Sequence, residues 1–408
     1  MSQVIIIGAG PTGLTLAMLL AQRGIPVKLI EASRNFRRTF RGEALMPSGL
    51  DAIEQMGLAE IVAGIPHRAL DAWEFIIENR LLFRVDEPME PGGKPCTLIS
   101  QPAFLDAVLE RASQCPSFEF IAGTAVRDLE WANDRVVGVN LSDNRSISAD
   151  LVIGADGRNS IVRTKANLDL DREPQSYDIL WFKLASSQPF EAENIFYSVL
   201  SGSDAFGLFL GSEGQLQVGW SLPDGQDEPE RAKDWQHLDW SEKLAAAAPD
   251  WLAAAFRQQA ASIERPFLLS VTVGRAPCWH VPGLLLLGDA AHPMSPIRAQ
   301  GINMSLRDAI VATNHLVPLL QQSSVELAAL DRVLPQIQAE REPEIIQIQQ
   351  LQRAEIAQGE LIRNYPLLRY GASRIVPRIP LLRNRIRQSW IDRQLQLRCG
   401  ITRVSLAV

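Results

Sequence analysis

Short apolar runs that stop at glycine set the framework of the chain. Val4-Ile5-Ile6-Ile7 has no polar position, the pattern of a strand buried on both faces of a parallel sheet. It passes through Gly8-Ala9-Gly10-Pro11-Thr12-Gly13 into Leu14–Ala21, whose composition is helical. Val27-Lys28-Leu29-Ile30 then reads as a second parallel strand that ends in Glu31. Two later apolar strands also stop at an acid: Leu151-Val152-Ile153 leads into Gly154-Ala155-Asp156-Gly157, and Leu284 to Leu287 leads into Gly288-Asp289.

The middle of the chain has a different rhythm. The stretches 179–184, 195–200, 205–210 and 215–220 read as successive antiparallel strands, and 267–273 returns as one more. Between them, 223–262 is acidic and then alanine-rich and helical. From Asp308 to about Arg369 apolar residues recur at helical spacing, which predicts helices packed on the first domain or on a second subunit. Three blocks follow. Residues 1–72, 96–170 and 278–330 form a discontinuous nucleotide-binding domain, 73–95 and 171–277 form a sheet domain, and 331–408 form a basic helical region. The expected fold is α/β, with a Rossmann-like domain and an inserted, mainly antiparallel β-sheet domain.

The glycine turn carries the clearest chemistry. Gly8 permits the tight turn, Gly10 lets the backbone approach a pyrophosphate, and Gly13 lets helix and strand pack closely, with the helix N-terminus facing the anion. Glu31 stands where an acid accepts from the ribose hydroxyls of an adenosine. A G-x-G-x-x-G is weak alone; the strand before it and the helix after it raise its weight.

Composition narrows the class. With 408 residues, 46% hydrophobic and 21% charged, the chain is long enough for two domains around a sizeable core. A net charge of −7 argues against a phosphate-backbone partner, so nucleic acid is not expected. Cys96, Cys115, Cys278 and Cys399 lie far apart and suggest neither zinc nor disulfides. With no signal-peptide pattern and no membrane-length apolar run, a cytoplasmic protein is expected. His67, His237, His280 and His315 show no metal spacing, so no metal is expected, and the chain lacks a G-x-S-x-G nucleophile elbow. The segment from Gly371 to Val408 holds eight arginines against Asp392 alone. They are read as covering the acidic body or a subunit contact, as in a homodimer. The other reading is a peripheral membrane surface, with Val376, Leu381, Leu382, Ile386 and Trp390 interleaved. Pro377 and Pro380 exclude one continuous helix there.

The order of these motifs, the glycine turn, then Asp156-Gly157, then Gly288-Asp289, resembles that of the FAD-dependent aromatic monooxygenases of the para-hydroxybenzoate hydroxylase type, over roughly residues 1–350. The resemblance implies non-covalent FAD, with Gly8, Gly10, Gly13 and Glu31 at its ADP half, Arg41 and Gln101 near the cofactor, Asp156 and Gly157 as the family's Asp-Gly pair, and Gly288 and Asp289 at the ribityl chain. It places the loop from Pro296 to Gly301 beside the isoalloxazine and the amides of Ile302 and Asn303 at the N1–C2 end of the ring. Relatives commonly carry glycines where this chain has Arg298 and Ala299, and an arginine where it has Gln101. Pro296 and Arg298 are therefore assigned next to the reacting centre, Arg298 offering its guanidinium to an anionic substrate group or to the reduced flavin. His292 is assigned a structural role. Trp181, Phe206 and Trp220 are the candidate substrate contacts.

The implied reaction uses NADH or NADPH to reduce FAD, and O2 to form a flavin C4a-hydroperoxide that hydroxylates an aromatic or heteroaromatic small molecule. No second glycine fingerprint exists for the nicotinamide. The alternatives are hydroxylation of a quinone or isoprenoid intermediate, a flavin-dependent isoprenoid reductase, and a flavin-binding protein without turnover.

Overall fold

The computed structural model describes residues 3–36, 43–173, 178–188, 190–222 and 235–408. Val4–Ile7 sits inside a six-stranded sheet, parallel to Val27–Glu31 on one side and to Leu151–Gly154 on the other. Phe118–Ala122 extends the first side and Leu284–Leu286 the second, both in parallel, and His280–Val281 closes the edge antiparallel. The wholly apolar strands are wholly buried, as expected for a parallel sheet covered on both faces. The carboxyl ends of Val4–Ile7, Val27–Glu31 and Leu151–Gly154 point to one edge, so Gly8, Glu31 and Asp156 meet there although 148 positions separate the first from the last.

A seven-stranded sheet forms a second layer. Its strands run in the order Phe267–Ser270, Asp178–Ala185, Gln215–Ser221, Asp204–Leu210, Ile195–Ser201, Ala72–Ile77 and Arg80–Asp86. All neighbours are antiparallel except Ile195–Ser201 with Ala72–Ile77. Side chains alternate between faces. Leu180, Phe182, Leu208, Val218 and Trp220 enter a core with the helices Trp240–Ala246 and Asp250–Gln258, while Trp181, Gly207, Phe209, Gln217 and Gly219 face the first domain. A three-stranded meander, Val126–Ala132, Arg135–Leu141 and Ser146–Ser148, was not anticipated from the apolar runs; its first turn uses Asn133 and Asp134, both at positive φ.

Helical structure continues beyond Arg369, to Cys399. The helices are Gln300–Leu320, Leu327–Asn364, Pro366–Arg374 and Pro380–Cys399, with a single 3-10 turn at Val376–Arg378. Pro366 and Pro380 occupy first-turn positions, where a missing N–H costs nothing, so these prolines restart helices and do not end the helical region. The basic tail packs on the body of the protein. Trp390 is buried, and the Arg398 guanidinium, also buried, is clamped by Glu87 (Nη2–Oε2 2.7 Å) and Glu90 (Nε–Oε1 3.0 Å).

Buried charges tie the helices to the nucleotide edge. The Asp308 carboxylate accepts from the Gly288 amide (3.0 Å) and pairs with His292 (2.7 Å) and Arg341 (2.7 Å). Arg341 also pairs with Glu344, which binds Arg307 (2.8 Å) and accepts from the Ile401 amide (2.8 Å). Burial alone would push both carboxyls up; the pairing with His292 and Arg341 holds Asp308 at about 2, and the pairing with Arg341 and Arg307 holds Glu344 at about 2.

Candidate active site

One continuous cavity of about 960 Å³ runs from the edge of the parallel sheet to the inner face of the seven-stranded sheet. Gly8, Gly10, Glu31, Asp156 and Gly157 line its first end, and Gln101, Asp289, Pro296, Arg298, Gly301 and Ile302 line its middle. Trp181, Phe196, Phe209 and Gln217 line the far wall.

The local geometry explains the glycines. Gly8 has φ +99, and a Cβ there would strike the Ala155 carbonyl; a Cβ on Gly13 would strike the Gly8 carbonyl. Gly10 differs, because a Cβ there would meet no atom within 4 Å although the residue lines the cavity. The helix Pro11–Gln22 starts directly after it with no side-chain cap, leaving its first amides for a ligand. The Glu31 carboxylate is oriented by the amides of Ala9 (2.9 Å) and Ser33 (2.9 Å). Open space at Gly10, uncapped amides and an oriented carboxylate fit the diphosphate and ribose of a dinucleotide such as FAD.

Asp156 does a second job. Its carboxylate accepts from Ser160 Oγ (2.5 Å) and from the amides of Ile161 (2.8 Å) and Val162 (3.1 Å), so it also caps the helix Ile161–Lys165. Burial raises its pKa, and these hydrogen bonds pull the other way. Arg163 crosses from this loop to the Ala290 carbonyl (2.7 Å). Gly288, at φ +59, leaves no room for a Cβ beside Thr12 and acts through packing.

Arg298 (φ 57) and Ala299 (φ 50) are both left-handed, a conformation that favours glycine, directly before the helix Gln300–Leu320. What holds Arg298 there is visible. Its Nε donates to Glu355 (2.8 Å), and its guanidinium lies 5.0 Å from the ring centres of Trp73 and Trp390 and 5.8 Å from that of Phe75. The Glu355 carboxyl, which burial alone would raise, is brought below the usual range by Arg298. The Gln352 amide fastens the same loop through the carbonyls of Ser295 (3.0 Å) and Ile297 (2.7 Å).

The alternation of the sheet corrects one expected substrate contact, Trp220. Trp181 pairs with Gly219 and lies over it, so its ring is on the cavity wall; Trp220, one residue on, points to the opposite face. There Trp220 stacks on Phe206 (5.5 Å, 5°) in the core, and it does not line the cavity. Phe206 borders the cavity, but its ring belongs to that core. Asn303 is fully buried outside the cavity, where its side chain accepts from the Met46 amide (2.9 Å) and donates to the Ala299 carbonyl (2.7 Å). Arg41 lies outside the described residues.

The apolar patterns did not point to Glu43. Its carboxylate accepts from Gln217 Nε2 (2.8 Å), and Gln217 Oε1 in turn accepts from Trp181 Nε1 (3.1 Å). All three line the cavity, and burial raises the Glu43 pKa.

A sequence model of the FAD binding domain matches residues 1–343. The chain belongs to the FAD-dependent aromatic monooxygenases. Among these monooxygenases it is 32% identical to a 6-methylpretetramide 4-monooxygenase of Streptomyces rimosus, over 98% of this chain and 95% of that protein. The p-nitrophenol 4-monooxygenase PnpA of Pseudomonas putida DLL-E4 has the same fold, with a TM-score of 0.75, 17% identity and coverage of 99% and 100% of the two chains. So does PqsL of P. aeruginosa, solved with 2-aminobenzoylacetate, with a TM-score of 0.75, 23% identity and coverage of 86% and 94%. Among the described residues of this monooxygenase, no helix is long and apolar enough to cross a membrane.

Proposed function

We propose that the protein is an NAD(P)H-dependent monooxygenase that hydroxylates a phenolic aromatic compound, binding it between the cofactor and the Trp181 face of the sheet. The observation that carries this reading is one continuous cavity, which joins the glycine cradle to a wall of aromatic rings that holds the half-buried Glu43 carboxylate. FAD, when bound, supplies the redox chemistry by accepting a hydride and activating dioxygen.

Each part of the chain has a task. The amides after Gly10 hold the diphosphate, Glu31 accepts from the adenosine ribose and Asp289 from the ribityl hydroxyls. Asp156 keeps the neighbouring loop in place by capping its helix. Pro296, Arg298, Gly301 and the amide of Ile302 form the wall beside the flavin ring. Trp181, Phe196 and Phe209 stack on the substrate and exclude water. Glu43, oriented by Gln217, takes the proton of the substrate hydroxyl at a carboxylate oxygen, which makes the ring electron-rich. Arg298 positions the loop, because Glu355 already neutralises its charge. The cavity is thereby better matched to a neutral phenol than to an aromatic acid.

The test is rapid mixing of the purified protein with NADH or NADPH without oxygen, with and without a panel of phenols, followed by addition of labelled dioxygen. Ligand-accelerated flavin reduction and one labelled oxygen atom in the product are expected. A reduced alkene without oxygen incorporation would establish a reductase instead, and a flavin that no nicotinamide reduces would establish a binding protein.

A further inference from the structure

Exposed apolar side chains are unevenly placed on this molecule. Of the 17 large hydrophobic residues exposed among the described residues, nine lie between Leu361 and Leu382. Leu367 is 88% exposed and Leu381 84%, values that leave each side chain with almost no protein neighbour. Leu368, Tyr370, Ile375 and Ile379 lie between them and are also exposed, while Val376 is buried and anchors the segment. Scattered surface leucines need no explanation, but so many within one short stretch of chain do.

The charge of the same segment is one-sided. Residues 361–385 contain six arginines and no acid. Arg363 is turned inward to Glu360 (3.1 Å) and Arg369 to Glu78. Arg374, Arg378, Arg383 and Arg385 form no ion pair among the described residues, and the last three are exposed. Two proline-started helices, Pro366–Arg374 and Pro380–Cys399, thus carry exposed leucines in the same stretch of chain as arginines that form no ion pair among the described residues.

We propose that this face docks on an anionic lipid surface, with Leu367 and Leu381 inserted below the headgroups and the four arginines on the phosphates. Leucines that protrude singly gain by entering hydrocarbon, and arginine guanidinium groups bind phosphate through paired N–H donors. A second copy of the chain fits less well, because a two-fold contact through this segment would bring together two sets of arginines from a stretch that itself contains no acid. The inference is independent of the substrate assigned above.

The experiment is flotation of the full-length, FAD-loaded protein with vesicles of phosphatidylcholine alone or of phosphatidylcholine with phosphatidylglycerol, at low and high salt. Flotation is expected with the anionic vesicles and not with the neutral ones, weakened by salt. The double variant Leu367→Glu/Leu381→Glu should lose at least about tenfold in partitioning with unchanged flavin content, and Arg378→Gln/Arg383→Gln/Arg385→Gln about a hundredfold. The proposal is overturned if the wild type ignores anionic vesicles, if the leucine variant floats as well as the wild type, or if the wild type is a dimer that the leucine variant splits and that binds no lipid.

Discussion

Replacing Arg341 by Met tests how the flavin edge is held. Arg341 is fully buried between Asp308 and Glu344, two carboxylates of which no side-chain surface reaches solvent. Met preserves much of the volume and removes the charge. Breaking a buried pair by deleting one partner costs about 3–5 kcal/mol. The lower half of that range applies here, since Glu344 keeps Arg307 (2.8 Å) and Asp308 keeps His292 (2.7 Å). The loss has a functional readout, because Asp308 also receives the Gly288 amide, which sets the turn bearing Asp289. Flavin release should therefore move to lower urea together with unfolding.

The pH dependence supplies the sign. Asp308 and Glu344 sit at about 2 in the folded protein. Each contributes stability that is full above the ordinary carboxylate range and is lost as pH falls toward 2. In Arg341→Met the same carboxyls are driven upward, so the variant's deficit should shrink as pH is lowered through the carboxylate range while the wild type weakens. The assay is urea unfolding monitored by tryptophan and flavin fluorescence across that range. A variant within about 1 kcal/mol of wild type at neutral pH, or a deficit that does not depend on pH, would refute the reasoning.

Three further outcomes are expected. Trp220→Ala should cost about 3–5 kcal/mol of stability with little change in KM, whereas Trp181→Ala should raise KM for the aromatic substrate with a smaller stability loss; parallel melts and steady-state kinetics separate the two, and the reverse pattern would undo the assignment of sheet faces. Glu43→Gln should retain FAD and slow hydroxylation. The wild-type rate should rise with pH through a value above the ordinary carboxylate range, and the variant should lose that limb. Because the folded pKa of Glu43 is raised, its stabilising effect is full at low pH and lost as pH rises through that value, so the variant should be neutral or slightly stabilising at neutral pH. Arg298→Gly relieves a left-handed arginine but strands the Glu355 carboxylate, for a net loss of about 1–3 kcal/mol that Arg298→Gly/Glu355→Gln recovers; a single variant as stable as wild type, measured by melting, counts against the ion pair.

The sequence alone located the strands and the glycine turn of the nucleotide half of the protein. Val4–Ile7, Gly8 to Gly13, Glu31, Asp156 and Asp289 were legible because each is a local signal: a continuous apolar run buries a strand, Gly8 and Gly13 stand where a Cβ would be blocked, and an acid at the end of such a strand faces the ligand edge. The order of these signals along the chain identified the family. The substrate half was not legible at residue level. Trp181 and Trp220 look alike in composition, and only the strand register assigns one to the cavity and the other to the core. Glu43, Gln217 and Trp181 are joined across 174 positions of sequence, and Arg298 meets Glu355 across 57. The arginines of the tail likewise showed their number but not their division into Arg398, buried on Glu87 and Glu90, and the set without an ion pair among the described residues. Strand pairing and burial decide such partnerships, since they are set by which chain segments share a low-dielectric interior and not by neighbours in sequence.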